Sequence, residues 1–559
     1  MSEIYSIADK YVDEIAALHP TIATYVGVPG YDHLLADYSP DGAAERAEHS
    51  RSTLAKINAA PIEDERDRIA GEVMAEELAT DLQEFERQEH LQSLNVIASP
   101  VQGLRQIFDL MPRDSDDQWD NIAKRMAAMP QAIDRYMESL SKGQSEGKTA
   151  SQRQASEAAK QASAWSGADG KDASFFQGLI AQYDKADLQN GAVREDLVGG
   201  ASAADAAYAK LADYLRDSYL PNAREKDGVG QERYEVAARR FLGMEMDPQE
   251  TYEWGWAELQ RIELEIEKTA NKILPGEGLE AVMDLMGSDP ERAIEGEEEF
   301  RQWMQDIQEA TIADMDGTHF DIADPVKEIE CLIAPPGGQL AMYYTSPSED
   351  FSRPGRVWYP TGGKTRFPLW TEVSIAYHEG VPGHHFQLAT TTFLSDQLSR
   401  FQRTIAGTSG HAEGWGLYAE RLMAELGYLE NPDYYLGMLV SQAFRAARVV
   451  IDIGMHLELE IPSDQPFHPG ERWSPELGLE FLIPRCPFED AFARSEINRY
   501  LGWPGQAISY KVGEKVFLDA RAEAKSAQGD AFVLWDGHTK ALNLGPMGLA
   551  QMKREMAGS

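Results

Sequence analysis

Residues Tyr377–Gln387 read YHEGVPGHHFQ, and the placement of their three histidines decides what this part of the chain builds. In the metal-ligand pattern H-E-x-x-H, a four-residue separation puts both histidines on one helical face. Here Pro382 stands four residues after His378, and the next histidines are His384 and His385. On an unbroken helix His385 points the same way as His378 but sits about 10.5 Å further along the axis. His384 is nearer but turned about 120° away. Neither can share an ion with His378 on a regular helix. Proline lacks a backbone donor and displaces the preceding turn, while glycine tolerates torsions closed to other residues. Pro382-Gly383 therefore predicts a bulge that absorbs the extra residues and returns a later histidine to His378, with Glu379 beside it as general base.

A catalytic zinc takes three protein ligands and keeps a fourth position for water. The third ligand is sought in SGHAEGWGLYAERLMAEL (Ser409–Leu426), where Glu413, Leu417 and Glu420 share a helical face. Between His384 and Glu413 there is room for one helix to end and a second to pack alongside. Gly414, Trp415 and Gly416 allow that packing to be close around a large ring. His411 and Glu420 are rivals for the place. The ligand types predict one divalent ion per chain, zinc.

Upstream, between roughly Ile322 and Leu369, the texture is short and broken. KEIECLIAPP, LAMYYTSPS and GRVWYPT are β-branched and aromatic runs interrupted by Pro and Gly. They read as strands of a small antiparallel sheet directly before the helix TEVSIAYHEG. Elsewhere helical periodicity dominates: Ile4, Ile7, Tyr11, Ile15 and Leu18 recur at steps of three and four. Arg68–Phe85, Ala206–Leu220 and Thr251–Leu274 repeat the pattern. Ser141–Lys171, rich in Ser, Ala, Gly and Gln, reads equally as a connection or a surface helix. The expected architecture is mostly α, with the small sheet beside the active-site helix. Residues 1–320 form a helical region covering the cleft and 321–559 the metal-binding catalytic region, integrated as one unit.

Composition narrows the function classes. With 43% hydrophobic and 26% charged residues the chain is a folded protein, and its formal charge of −41 repels nucleic acid and anionic membranes. Cys331 and Cys486 are the only cysteines, which leaves no disulfide framework and no C-x-x-C knuckle. The opening MSEIYSIADKYVDEIAALHP carries acids throughout and reads as an amphipathic helix rather than a signal peptide. No run of about eighteen apolar residues occurs. The expected compartment is the cytoplasm.

Two further stretches carry polar residues in suggestive places. In FRAARVVIDIGMH (Phe444–His456), Arg445, Arg448, Asp452 and His456 form one stripe of a helix. The stripe can orient ligands, bind a substrate carboxylate, or serve as an ion-pair row between helices. His456 is taken here as a site residue. In GWPGQAISYKVGEK, Pro504-Gly505 makes a turn before a helix that carries Tyr510.

Taken together, HEGVPGHHFQ, AEGWGLYAE and RYLGWPGQAISYKVGE resemble the bacterial domain of unknown function 885 (DUF885) family, whose members are regarded as candidate zinc peptidases. PTIATYVGVPGYDHLLADYSPDG and SPSEDFSRPGRVWYPT extend the resemblance across nearly the whole chain. A more distant similarity is to the helical gluzincin peptidases resembling thimet oligopeptidase, angiotensin-converting enzyme and carboxypeptidase Taq. Their H-E-x-G-H motif has a glycine before the second histidine, as Gly383 precedes His384. That similarity implies His378, His384 and Glu413 as ligands, with His385 as the alternative second ligand. It also implies Glu379 as base and Tyr510 as the phenol that meets the oxyanion. The chain departs from the motif by two inserted residues.

The expected reaction is zinc-dependent hydrolysis of peptide bonds in short peptides. Zinc lowers the pKa of its bound water, Glu379 takes the proton, and a second donor meets the oxyanion. Substrate would lie as an added strand on a sheet edge formed by AMYYTSPS or GRVWYPT. The alternatives are a metal-dependent amidohydrolase acting on a small N-acyl or amide substrate, and a catalytically silent metal-binding scaffold.

Overall fold

The computed structural model describes residues 2–186, 188, 190–334 and 342–557. The ends of two strand-like runs, Pro335-Pro336 and Leu340-Ala341, lie outside the described residues. The chain is mostly helical and divides into two compact units, residues 1–230 with 494–504, and residues 231–493 with 505–559. One compact unit thus ends at Gly230, and a short late segment, residues 494–504, belongs to it.

In the first unit the periodic segments fold as expected. Helix α1 is Glu3–Leu18, α2 is Glu65–Glu86, α3 is Asp116–Ser145, α4 is Gln152–Trp165 and α5 is Gly191–Tyr214. Ile4, Tyr11, Val12 and Ile15 of α1 are buried, as their spacing requires. The ambiguous Ser141–Lys171 stretch ends α3 and then forms α4. Ala155, Ala158, Ala159 and Ala162 make a buried stripe there. Alanine costs no side-chain entropy in a helix, so a polar-looking segment still packs closely on one face. The core clusters on α3 and α5, with Trp119, Ile133, Leu197 and Tyr208 almost fully buried. Each such large side chain contributes roughly 1.5–3 kcal/mol by leaving water.

The second unit is built on α6 (Pro248–Ile273), α7 (Glu297–Met315), α8 (Leu369–Glu379), α9 (His384–Phe393), α10 (Ser409–Glu425), α11 (Pro432–Leu457) and α12 (Ser509–Gln528). Among the described residues five short strands accompany them: β1 (Ala293–Glu295), β2 (Ile329–Ile333), β3 (Tyr343–Thr345), β4 (Gly355–Tyr359) and β5 (Arg366–Pro368). The small antiparallel sheet beside the motif helix is the β1–β5 pair, since β5 runs straight into α8. The three runs read from the sequence make a second sheet in the order β2-β4-β3. It is mixed in sense, with β3 antiparallel to β4 and β2 parallel to it. Alternation along β4 is clean: Gly355, Val357 and Tyr359 are buried while Arg356 and Trp358 are partly exposed.

Polar groups also join these helices. The Lys511 ammonium, 1% exposed, donates to Gln442 on α11 at 2.6 Å and pairs with Glu258 on α6 at 2.9 Å. It also binds Glu514 on its own helix. A buried lysine persists only when so paired. Among the described residues no helix is long and apolar enough to cross a membrane.

Candidate metal centre

The motif does not form a bulged helix. Helix α8 stops completely at Gly380, and α9 starts afresh at His384, with Val381 and Pro382 between. A stopped helix leaves backbone groups without partners. Gln308 on α7, fully buried, supplies them: its amide donates to Ala376 O at 2.8 Å and its carbonyl accepts from Val381 N at 2.9 Å. The chain then doubles back so tightly that a Cβ on Gly383 would lie 2.0 Å from His378 O. Glycine is required there by close approach. The fresh start gives His384 a new direction, which the helical geometry of an unbroken segment denied it.

Helix α10 brings the carboxylate. A Cβ on Gly414 would lie 2.6 Å from Gly513 on α12, and one on Gly416 would lie 2.6 Å from Cε1 of His378. Trp415 between them donates its indole N–H to Pro382 O at 2.8 Å. The Gly-Trp-Gly triplet thus ties α10 to α12, to the motif helix and to the break at once. Glu413 Oε2 is left 3.3 Å from His378 Nε2 and 3.4 Å from His384 Nε2. One ligand atom from each of the three residues lies within 4.8 Å of the others. Bonds of about 2.1 Å to a tetrahedral ion require ligand atoms about 3.4 Å apart, so the donor set fits one divalent ion.

The groups behind the triad hold it in register. His378 Nδ1 meets Glu420 Oε1 at 2.8 Å, and Ser374 donates to Glu420 Oε2 at 2.5 Å. A carboxylate on Nδ1 keeps the proton there and leaves Nε2 free as a ligand. Glu420, a rival third ligand in sequence, thus stands behind His378 instead of facing Glu413. Arg445 on α11 lies 3.8 Å from Glu420. Burial opposes charge on His378, yet Glu413 and Glu420 outweigh it and push the imidazole up to about 9. Burial likewise opposes charge on Glu413, but His378 and His384 hold its carboxyl well below the usual range. Both shifts record the same thing, the mutual attraction of imidazoles and carboxylates held close together in one pocket. Glu379 is 8% exposed, and burial raises its pKa against the pull of His384 and His378. A raised carboxylate is the better proton acceptor near neutral pH.

His385 faces elsewhere. Its Nε2 bonds Val326 O at 2.7 Å and its Nδ1 meets the Tyr344 hydroxyl of β3 at 3.0 Å. Burial drives its pKa down to about 4, so it is neutral and anchors α9 to the sheet. His411 packs on Phe517 and meets Gln387, also apart from the triad. His456 is fully buried against Asp452, 3.7 Å away, and the Tyr234 ring. It lies about 16 Å along the α11 axis from Arg445. Tyr510 of α12 has its ring beside the guanidinium carbons of Arg445 at 5.7 Å and Arg448 at 4.8 Å. Arg445 in turn lies 3.8 Å from Glu420. Sequence reasoning missed Ser374 and Gln308. Ser374 carried a faint signal, standing four residues before His378 on the same face. Gln308 carried none.

The family described as "Bacterial protein of unknown function (DUF885)" matches residues 20–556. No curated protein matches the chain. Two solved structures share its fold across nearly their full length. "The crystal structure of the putative lipoprotein from Colwellia psychrerythraea" has a TM-score of 0.84 at 21% identity, covering 99% of this chain and 98% of that one. "The structure of a putative lipoprotein of unknown function from Shewanella oneidensis" has a TM-score of 0.75 at 18% identity, covering 100% of both.

Proposed function

The chain belongs to the bacterial DUF885 family, and from that premise and its site we propose a zinc-dependent peptidase acting on short peptides. The observation that carries the reading is the convergence of His378, His384 and Glu413, with Glu379 next to the first ligand. Two imidazoles and one carboxylate are the donor set of catalytic zinc. The carboxylate behind His378 is the usual support for such a ligand.

Zinc, when bound, would supply a Lewis acid and an acidified water. His378, His384 and Glu413 would hold it, through Nε2, Nε2 and a carboxylate oxygen. Glu420 keeps the His378 proton on Nδ1. The Glu379 carboxylate accepts the proton of the attacking water and returns it to the leaving nitrogen. The Tyr510 hydroxyl donates to the oxyanion as the carbonyl becomes tetrahedral. His456 has no step in this scheme, because its buried contacts with Asp452 and Tyr234 fit it for helix packing. A cytoplasmic location goes with the proposal, since Cys331 and Cys486 are both buried thiols.

The test is metal analysis of the purified protein together with a mixed-peptide digest read by mass spectrometry. About one zinc per chain and cleavage of short peptides are expected. His378→Ala should lose both. Full metal content in that variant, or a metal-loaded wild type that leaves every peptide intact, would overturn the reading.

A further inference from the structure

Arg445 is a cation whose contacts bring it to the candidate metal centre, and its surroundings leave it underused. The nearest carboxylate is Glu420 at 3.8 Å, too long for a two-pronged pair. Both Glu420 oxygens already take shorter bonds, from Ser374 and with His378. The guanidinium donates to Ser441 one turn back, while its Nε is buried without a hydrogen-bond partner. Its side chain is 13% exposed, so it is reachable but mostly out of water. The charge is felt by His378, Glu379 and Glu420. A planar donor with spare N–H groups in such a place is suited to an incoming carboxylate.

Position gives the ligand a length. Arg445 touches Glu420 and Glu420 touches His378, so its terminal nitrogen lies within about 9 Å of His378 Nε2, the reach of two to three extended residues at roughly 3.5 Å each. Tyr510, partly exposed and beside Arg445, would flank the bound chain. Resting on the peptidase reading above, we propose that Arg445 binds the free α-carboxylate of the substrate. The protein is then a carboxyl-end peptidase that releases one to three residues. The net charge of −41 strengthens the need for a local cation, because the rest of the surface repels an anionic peptide end.

The experiment compares one tetrapeptide as free acid and as C-terminal amide, using the full-length metal-loaded protein. The wild type should prefer the acid by about tenfold to a hundredfold in kcat/KM, the worth of a hydrogen bond to a charged group. Arg445→Ala should bring that ratio close to one, chiefly through KM for the acid, and Arg445→Lys should restore part of it. Metal content is read in each variant, since Arg445 also faces Glu420. If Arg445→Ala sheds its metal, Arg445→Lys and the wild-type ratio decide the matter. Binding of the same two peptides to Glu379→Gln by calorimetry separates the two readings. A preference for the acid there that disappears in the Glu379→Gln/Arg445→Ala double variant, with no hydrolysis by the wild type, would keep the carboxylate site and refute the peptidase. Equal treatment of acid and amide by the wild type would refute the carboxylate site, as would an unchanged ratio in Arg445→Ala.

Discussion

Around α3 and α5 the buried side chains are Trp119, Ile122, Ile133, Leu197 and Tyr208, whereas around α8, α9 and α10 they include His378, Glu379, His384 and Glu420. Hydroxyls in the first region bond to backbone carbonyls: the Tyr208 hydroxyl donates to Val101 O at 2.8 Å and the Tyr136 hydroxyl to Ser93 O at 2.7 Å. Its fully buried Arg125 spends its charge on the carbonyls of Leu34 and Tyr31. In the second region imidazoles and carboxylates face one another with perturbed protonation. Taking charges out of water costs several kcal/mol each unless partners compensate. A chain that only needed a core would build the first kind twice. Charged groups gathered at such a cost are the kind that cluster at functional sites.

The sharpest way to break this contrast is Glu379→Gln. Removing the base while keeping shape should lower hydrolysis by about a hundredfold to ten-thousandfold with zinc retained. Wild-type turnover would move Glu379 into the structural class. Tyr510→Phe removes one hydroxyl and should reduce turnover by roughly tenfold to a thousandfold with little change in fold or metal. A rate unaffected by the change would confine Tyr510 to packing beside Arg445. For Glu420→Gln the expected effect is a loss of about tenfold to a hundredfold in zinc affinity, measured by competition with a chelator. Undiminished affinity would mean that Ser374 and Glu420 only fill space.

The first region should respond in the opposite sense. Ile133→Val, at a fully buried position, should lower stability by about 1 kcal/mol in denaturant while metal content stays at the wild-type level. Loss of metal there would erase the distinction between the two regions. A pH-dependent effect concerns Glu372 on α8, which burial raises to about 7 against the pull of Thr371 and Lys364. Its folded form keeps a proton that the unfolded chain releases near 4.5, so stability falls as pH rises from about 4.5 to about 7. Glu372→Gln should flatten that part of the melting-temperature profile. A variant with the wild-type slope would show that Glu372 is not the group responsible.

Much of the helical scaffold was legible because periodicity is a local property. Arg68–Phe85 lies within α2 and Thr251–Leu274 nearly coincides with α6. Ser141–Lys171 was ambiguous because alanine, serine and glutamine carry weak hydrophobic contrast, and the buried face of α4 is four alanines with Gln154. Strand sense was less accessible still. The runs β2 and β4 are twenty-odd residues apart, and nothing in either states that they lie parallel.

By itself the sequence determined that His378 and a later histidine meet only if the helix breaks, since 3.6 residues per turn forbids any other solution. It also marked Pro382-Gly383 as the place and Glu413 as a carboxylate within reach. Which of two adjacent histidines turns toward His378 was decided by the tertiary structure alone. Val326 and Tyr344 claim both nitrogens of His385 from 59 and 41 residues upstream, and Gln308 steadies the break from more distant chain still. Neighbouring residues share the same local propensities, so only contacts from remote segments can give one imidazole to the sheet and leave the other facing His378 and Glu413.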